Sequence, residues 1–204
     1  MRCGGALWTA HWSHGQGSRD YDGVTNTHAA LRTASQLNDD ELGLAAMAQR
    51  AEGWAMGARL DYRQLQRRIA PTTSVLGYPE RYRYGQVALG ARYQSAAIGN
   101  LQVGATVWLA AGPGGTVRVQ WPDADALTLP LGRSLALESR LQIGSLPAER
   151  PNWSWQLGLN WRCERLGAGA SRDRVHSGVV QGTSAQPQTR QLQAALELGL
   201  NHAF

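Results

Sequence analysis

The chain has 204 residues, a formal charge of +5, 43% apolar and 17% charged residues, and 24 glycines. That length suits one domain or one small barrel, and nothing in the composition separates two. No apolar run reaches the roughly 18 to 20 residues of a spanning helix, so a membrane-spanning reading must be a β-barrel reading. The positive charge is too small and dispersed to indicate a nucleic-acid partner.

All twenty basic residues are arginine, a side chain that stays charged and forks two donors toward carboxylate or phosphate. Eight Trp and six Tyr stand against a single Phe. With abundant Gly, they suit a sheet whose rims need amphipathic rings and whose interior needs small residues. Cys3 and Cys163 lie far apart and form no CxxC or metal-ligand spacing. No secretory leader is readable, so residues 1–204 are taken as one domain, either a mature form or a chain truncated at its amino terminus.

In chain order, the first strand is expected from Gly5 to Ser13, with Ala6, Trp8, Ala10 and Trp12 on one face. His14 to Asn26 reads as a polar loop, Thr27 to Leu37 alternates weakly, and Asn38 to Asp40 reads as a tight turn. Leu42, Leu44, Ala46 and Ala48 form the next apolar row. After a turn at Arg50 to Gly53 comes Trp54, Met56, Ala58, Leu60 and Tyr62, opposed by Ala55, Gly57, Arg59, Asp61 and Arg63. Two such rows around a short turn predict a hairpin.

Gln64 to Glu80 reads as a long loop. Rows follow at Val87 to Tyr93 and Leu101 to Leu109, then a Gly-Pro turn at Ala111 to Gly115 leads to Val117, Val119 and Trp121, with Arg118 and Gln120 opposite. Pro122 to Gly132 is ambiguous, because Pro130 interrupts the alternation of Leu127, Leu129 and Leu131. Leu135, Leu137, Leu141 and Ile143 oppose Glu138 and Arg140; Trp153, Trp155, Leu157, Leu159 and Trp161 oppose Gln156, Asn160 and Arg162. The phase changes near Cys163 to Arg165, where a short turn is expected, and a polar loop spans Arg172 to Thr189.

A period of two explains these rows where a period of 3.6 would scatter Gln, Arg and Glu around every face. Alternation alone does not say which face is inside: a soluble barrel packs its apolar face inward, a membrane barrel outward. Gly, Ala and Gln opposite the aliphatic rows suit a crowded lumen. Trp54, Tyr62, Tyr93, Trp121, Trp153 and Trp161, near the ends of the rows, suit membrane interfaces. The expected fold is therefore all-β, an antiparallel transmembrane β-barrel of about 10 to 12 strands.

The last stretch, Gln191 to Phe204, alternates Leu192, Ala194, Leu196, Leu198, Leu200, His202 and Phe204 with polar or tiny residues. It resembles the closing strand of Gram-negative outer-membrane β-barrels, in which a terminal Phe after alternate apolar residues is the signal read by the barrel-assembly machinery; His202 stands where that family favours an aromatic. The resemblance implies a bacterial outer-membrane location, lipid and the assembly machinery as partners, and Phe204 as the assembly signal. It suits a non-enzymatic channel, export-pore module or structural anchor.

The predicted lumen set is Arg59, Asp61, Arg63, Arg92, Arg118, Glu138, Arg140, Arg162 and Glu197, with Asp173 also placed inward. It reads either as a paired network filling a narrow interior or as a polar path whose excess arginine favours an anionic solute or polysaccharide. His11 to Gly15 spells HxSHG, similar to the HxSNG stretch bearing the catalytic His and Ser of outer-membrane phospholipase A and the lipid A deacylases. That resemblance implies His11 as base toward Ser13, with Asn26 or Asp20 orienting the ring. In those families the dyad faces lipid, whereas this alternation turns His11 and Ser13 inward. Asp123 with Asp125, and Asp39 with Asp40, offer acid pairs for calcium or for omptin-like chemistry, but with no His at readable spacing they read as solvated loop acids. No cofactor or metal signature is present, and a soluble β-barrel binding protein is the remaining alternative.

Overall fold

The computed structural model describes residues 2–3, 6–24, 30–73, 76–145 and 153–202. The strands are β1 (Arg2–Cys3), β2 (Ala6–Val24), β3 (Ala30–Ala51), β4 (Trp54–Ile69), β5 (Tyr78–Gln94), β6 (Leu101–Val119), β7 (Leu127–Leu131), β8 (Ser134–Ser145), β9 (Trp153–Leu166), β10 (Arg172–His176), β11 (Val179–Ser184) and β12 (Thr189–His202). The fold is all-β. One antiparallel sheet, in the order β1-β2-β3-β4-β5-β6-β8-β9-β12, curls into a half-barrel. Among the described residues, β2 and β12 share no ladder.

β6 pairs along its second half with β7 and along its first half with β8. Leu127 to Ser145 thus lies against one strand, interrupted only at Gly132 and Arg133. Among the described residues β7 has no second strand partner, which explains why Pro130 is tolerated there. β10 and β11 form a separate hairpin turned by Ser177 (φ 50°) and Gly178 (φ 81°). It touches the segment after β6: the Asp125 N–H donates to the Val175 carbonyl at 3.0 Å, and the Arg174 guanidinium lies 5.8 Å from the Trp121 ring.

Each wall of the curl has two sides. On β4 the outward residues are Trp54, Met56, Ala58, Leu60 and Tyr62, then Gln64, Gln66 and Arg68; the inward ones are Ala55, Gly57, Arg59, Asp61 and Arg63, then Leu65, Arg67 and Ile69. β5 follows the same plan, Val87 and Leu89 giving way outside to Arg83 and Arg81; on β6 an extra residue opposite Gly85 to Val87 shifts the alternation by one, so that Val107 and Leu109 give way outside to Thr116 and Arg118. Polarity therefore inverts part-way up the strands while the backbone continues. At the loop end the interior is an apolar cluster of Leu65, Tyr82, Tyr84, Val117, Val119, Leu129, Leu131 and Leu166. Toward the turn end a smaller cluster gathers Ala45, Met47, Ala55, Ala88, Trp108, Ala110 and Ala136. Gly90 is required there, since a Cβ on it would stand 2.3 Å from the Trp108 ring.

Several expected breaks are continuous strand. His14 to Val24 belongs to β2, Asn38 to Asp40 to β3, Gln64 to Ile69 to β4, Ala111 to Gly115 to β6, and Cys163 to Arg165 to β9. In most of these places the inversion of polarity imitates a turn. The polar segment after His14 accordingly runs toward the same end as the 70–77 and 120–126 connections.

Candidate functional site

The interior between the two apolar clusters is a layer of charge built from β3, β4, β8 and β9. The period-two register brings Glu41 beside Arg63, Gly43 beside Asp61 and Ala45 beside Arg59. On the facing wall it brings Glu138 beside Arg162. Curling the sheet then joins the walls through guanidinium groups.

Arg63 is the most enclosed of these, with 3% side-chain exposure. Its Nε donates to Asp39 Oδ1 at 2.7 Å and its Nη1 to Glu164 Oε2 at 2.6 Å; Nη2 reaches Asp39 Oδ2 and also Gln193 on β12. Arg162 Nη1 donates to Glu41 Oε2 at 2.6 Å and lies 2.8 Å from Glu138 Oε1. Arg59 donates through Nε to Asp61 Oδ2 at 2.7 Å and through Nη2 to Glu138 Oε2 at 2.6 Å, and lies 5.0 Å from the Trp108 ring. Glu164 also accepts from the Tyr84 hydroxyl at 3.0 Å and Gln86 Nε2 at 2.9 Å. Such forked, charge-assisted bonds suit arginine and not lysine.

Nearer the loop end, Arg67 Nε and the Tyr82 hydroxyl both donate to Glu80 Oε2 at 2.7 Å, and Gln186 donates to Tyr82 at 3.1 Å. On the turn side a recess of about 970 Å³ opens between the walls, lined among others by His11, Arg59, Arg92, Trp108, Arg140 and Glu197. Arg140 Nη2 pairs with Glu197 at 2.7 Å. Arg92 lines the recess without an ion pair among the described residues.

The predicted lumen residues Arg59, Asp61, Arg63, Arg92, Glu138, Arg140, Arg162 and Glu197 thus share one interior. Arg118 does not: it is exposed, opposite the buried Val117 and Val119, because the register shift between β5 and β6 at Gly85 to Val87 adds one residue on the β6 side and flips its alternation beyond Gly114. Asp173 lies exposed on β10, outside this layer. Trp54, Tyr62, Tyr93 and Trp161 are exposed on the outward face, Trp54 and Tyr93 with ring centroids 5.0 Å apart. Trp121 instead packs against the apolar cluster at the loop end. The side chain of Trp153, and Phe204 and Asn26 entirely, fall outside the described residues.

Asp39, Glu41, Glu164, Tyr84 and Gln86 were not expected in the site. Asp39 lay in a presumed turn and Glu164 in another; extending the inward row from Gly43 by four residues, through Glu41, and that from Arg162 by two finds both. Asp39 and Asp40 are no acid pair: Asp39 points inward to Arg63, while Asp40 lies 2.7 Å from His14 Nδ1. His11 and Ser13 both border the recess, but the polar neighbours of His11 Nε2 are Glu41 Oε1 at 3.4 Å and Asp61 Oδ1 at 3.7 Å. No hydrogen bond joins His11 to Ser13 among the described residues.

In comparisons with known protein families, curated proteins and solved structures, the chain matches none of them.

Proposed function

We propose that this chain is a bacterial outer-membrane β-barrel protein that lies in lipid by its outward leucines and serves as a non-enzymatic structural anchor rather than an open channel. The observation carrying this reading is the outward apolar band. Leu42, Leu60, Leu89, Leu109, Leu141, Leu159 and Leu196 are all exposed, at 52% or more of their surface, while charged groups fill the interior. A soluble barrel would place those leucines inside. An exposed apolar surface of this extent marks a membrane or partner contact, and the span from Trp54 to Tyr62 matches the ~9 to 11 residues of a tilted membrane strand.

The anchor reading, as against a channel or export-pore module, is supported by what occupies the interior. Arginine bridges cross it, and the cluster around Leu65, Val117 and Leu166 fills its loop end. A small barrel of about eight strands has an interior that side chains alone can fill. Eight strands of the main sheet here have 12 residues or more. Assembly by the barrel-assembly machinery and a Gram-negative outer-membrane location belong to the same proposal.

Protein refolded into detergent is expected to migrate differently in gels before and after boiling, and to leave planar bilayers without stable single-channel steps. Stable steps that select anions would replace the anchor with a channel for an anionic solute or polysaccharide. Migration unchanged by boiling, with no uptake into vesicles, would remove the membrane reading.

A further inference from the structure

We propose that His11, Glu41 and Asp61 form a binding site for a divalent first-row transition ion of the zinc type, on the inner wall of the half-barrel. Their ligand atoms, His11 Nε2, one Glu41 oxygen and one Asp61 oxygen, all lie within 4.8 Å of one another. The inference is independent of whether the outer face meets lipid.

Each carboxylate divides its two oxygens between different tasks. Asp61 uses Oδ2 on Arg59 at 2.7 Å, and Glu41 uses Oε2 on Arg162 at 2.6 Å. The other oxygens turn toward His11. Asp61 Oδ1 is the telling atom, because the side chain has 2% exposure and this oxygen has no hydrogen-bond partner among the described residues. A buried carboxylate oxygen left in that state is costly unless something occupies the place it faces.

Gly43 provides the place. It pairs with His11 on one side and Asp61 on the other, and a Cβ there would stand 2.1 Å from His11 Cε1 and 2.4 Å from Asp61 Oδ1. Only a glycine lets the two side chains converge over this point of the wall.

The spacing fits a small ion. His11 Nε2 lies 3.4 Å from Glu41 Oε1 and 3.7 Å from Asp61 Oδ1. Two ligand atoms each about 2.0 to 2.1 Å from a tetrahedral zinc are about 3.3 to 3.4 Å apart, so each carboxylate already stands within a few tenths of an ångström of the separation from the imidazole that a shared ion would set. One imidazole with two carboxylates is a donor set for zinc and neighbouring ions rather than for calcium, which takes oxygen ligands throughout. Charge points the same way. Among the described residues of the layer, Asp39, Glu41, Asp61, Glu138 and Glu164 pair with Arg59, Arg63 and Arg162, and counting Arg92 in the adjoining recess as a fourth cation still leaves carboxylate charge in excess for a cation to balance. The recess beside His11 leaves room for water on the remaining positions. The same excess could instead be met by a proton on His11, and the experiment separates the two.

The test is equilibrium dialysis of the folded full chain in detergent against zinc chloride, with metal content measured by mass spectrometry. About one zinc per chain is expected. His11→Gln, Asp61→Asn and Gly43→Ala should each weaken binding about tenfold or more, whereas Arg92→Gln, in the recess but off the site, should leave it unchanged. On the wild-type chain, zinc should protect His11, but not His14, from acylation by diethyl pyrocarbonate, a readout that needs no variant to fold. Absence of zinc, binding undiminished in His11→Gln and Asp61→Asn, or acylation of His11 at the same rate with and without zinc would overturn the proposal.

Discussion

Arg63 on β4 donates to Glu164 on β9 at 2.6 Å, joining residues 101 positions apart across the inside of the curl. Both side chains are almost fully enclosed, at 3% and 1% exposure. Deleting one member of such a pair strands the other charge in a dry interior, which typically costs about 3 to 5 kcal/mol. Arg63→Ala is therefore expected to destabilise the folded chain by about that amount in denaturant titrations. Arg92→Ala, which breaks no ion pair, should stay within about 0.5 kcal/mol. Equal effects from the two would show that the bridge does not hold the walls together.

Leu60 and Gln66 both point outward on β4, one within the apolar band and the other beyond it. A charge facing the middle of a bilayer costs roughly 2 to 4 kcal/mol, and close to nothing near the interface. Leu60→Arg should thus lower folding stability in lipid vesicles by about that range, and Gln66→Arg should barely change it. If both arginines are accommodated alike, the band does not contact acyl chains.

Leu166, with 1% exposure, is enclosed in the cluster at the loop end. Truncating a buried leucine to alanine removes about 2 to 5 kcal/mol. Leu166→Ala should show that loss in the same titrations, while Arg165→Ala, on the exposed side of β9, should not.

Trp108 lies across Gly90, with Arg59 against its ring. A methyl group at position 90 must displace the indole, and overpacking of this kind costs about 1 to 3 kcal/mol. Gly90→Ala should change near-ultraviolet circular dichroism along with stability. Unchanged aromatic signals would mean that the indole does not rest on this glycine.

The all-β fold, the β3–β4 hairpin and most of the lumen arginines were legible because period-two alternation is strong wherever one face is wholly apolar. Trp54 to Tyr62 against Ala55 to Arg63 is the clearest case. Legibility failed where the faces exchange character within one strand. Leu65 and Ile69 follow Arg63 on the inner side, Gln64 and Arg68 follow Tyr62 on the outer side, and a reading that asks for one apolar face must insert a loop. The same exchange produced the presumed turn at Cys163 to Arg165, hiding Glu164, whereas Arg118 was misplaced by the extra residue that shifts the β6 register beside Gly85 to Val87. His11, Glu41 and Asp61 share no sequence spacing at all. Only the register of three neighbouring strands, together with the gap at Gly43, brings them together.

The orientation of the outward leucines is tested most directly by spin labels placed singly at Leu60, Leu109, Leu196 and Gln66, in a background with Cys3 and Cys163 replaced by serine, after reconstitution into vesicles. Labels at the three leucine positions are expected to collide with dissolved oxygen and to be shielded from a water-soluble nickel chelate, with the reverse at Gln66. Nickel reaching the leucine positions as freely as Gln66 would contradict a lipid-facing wall.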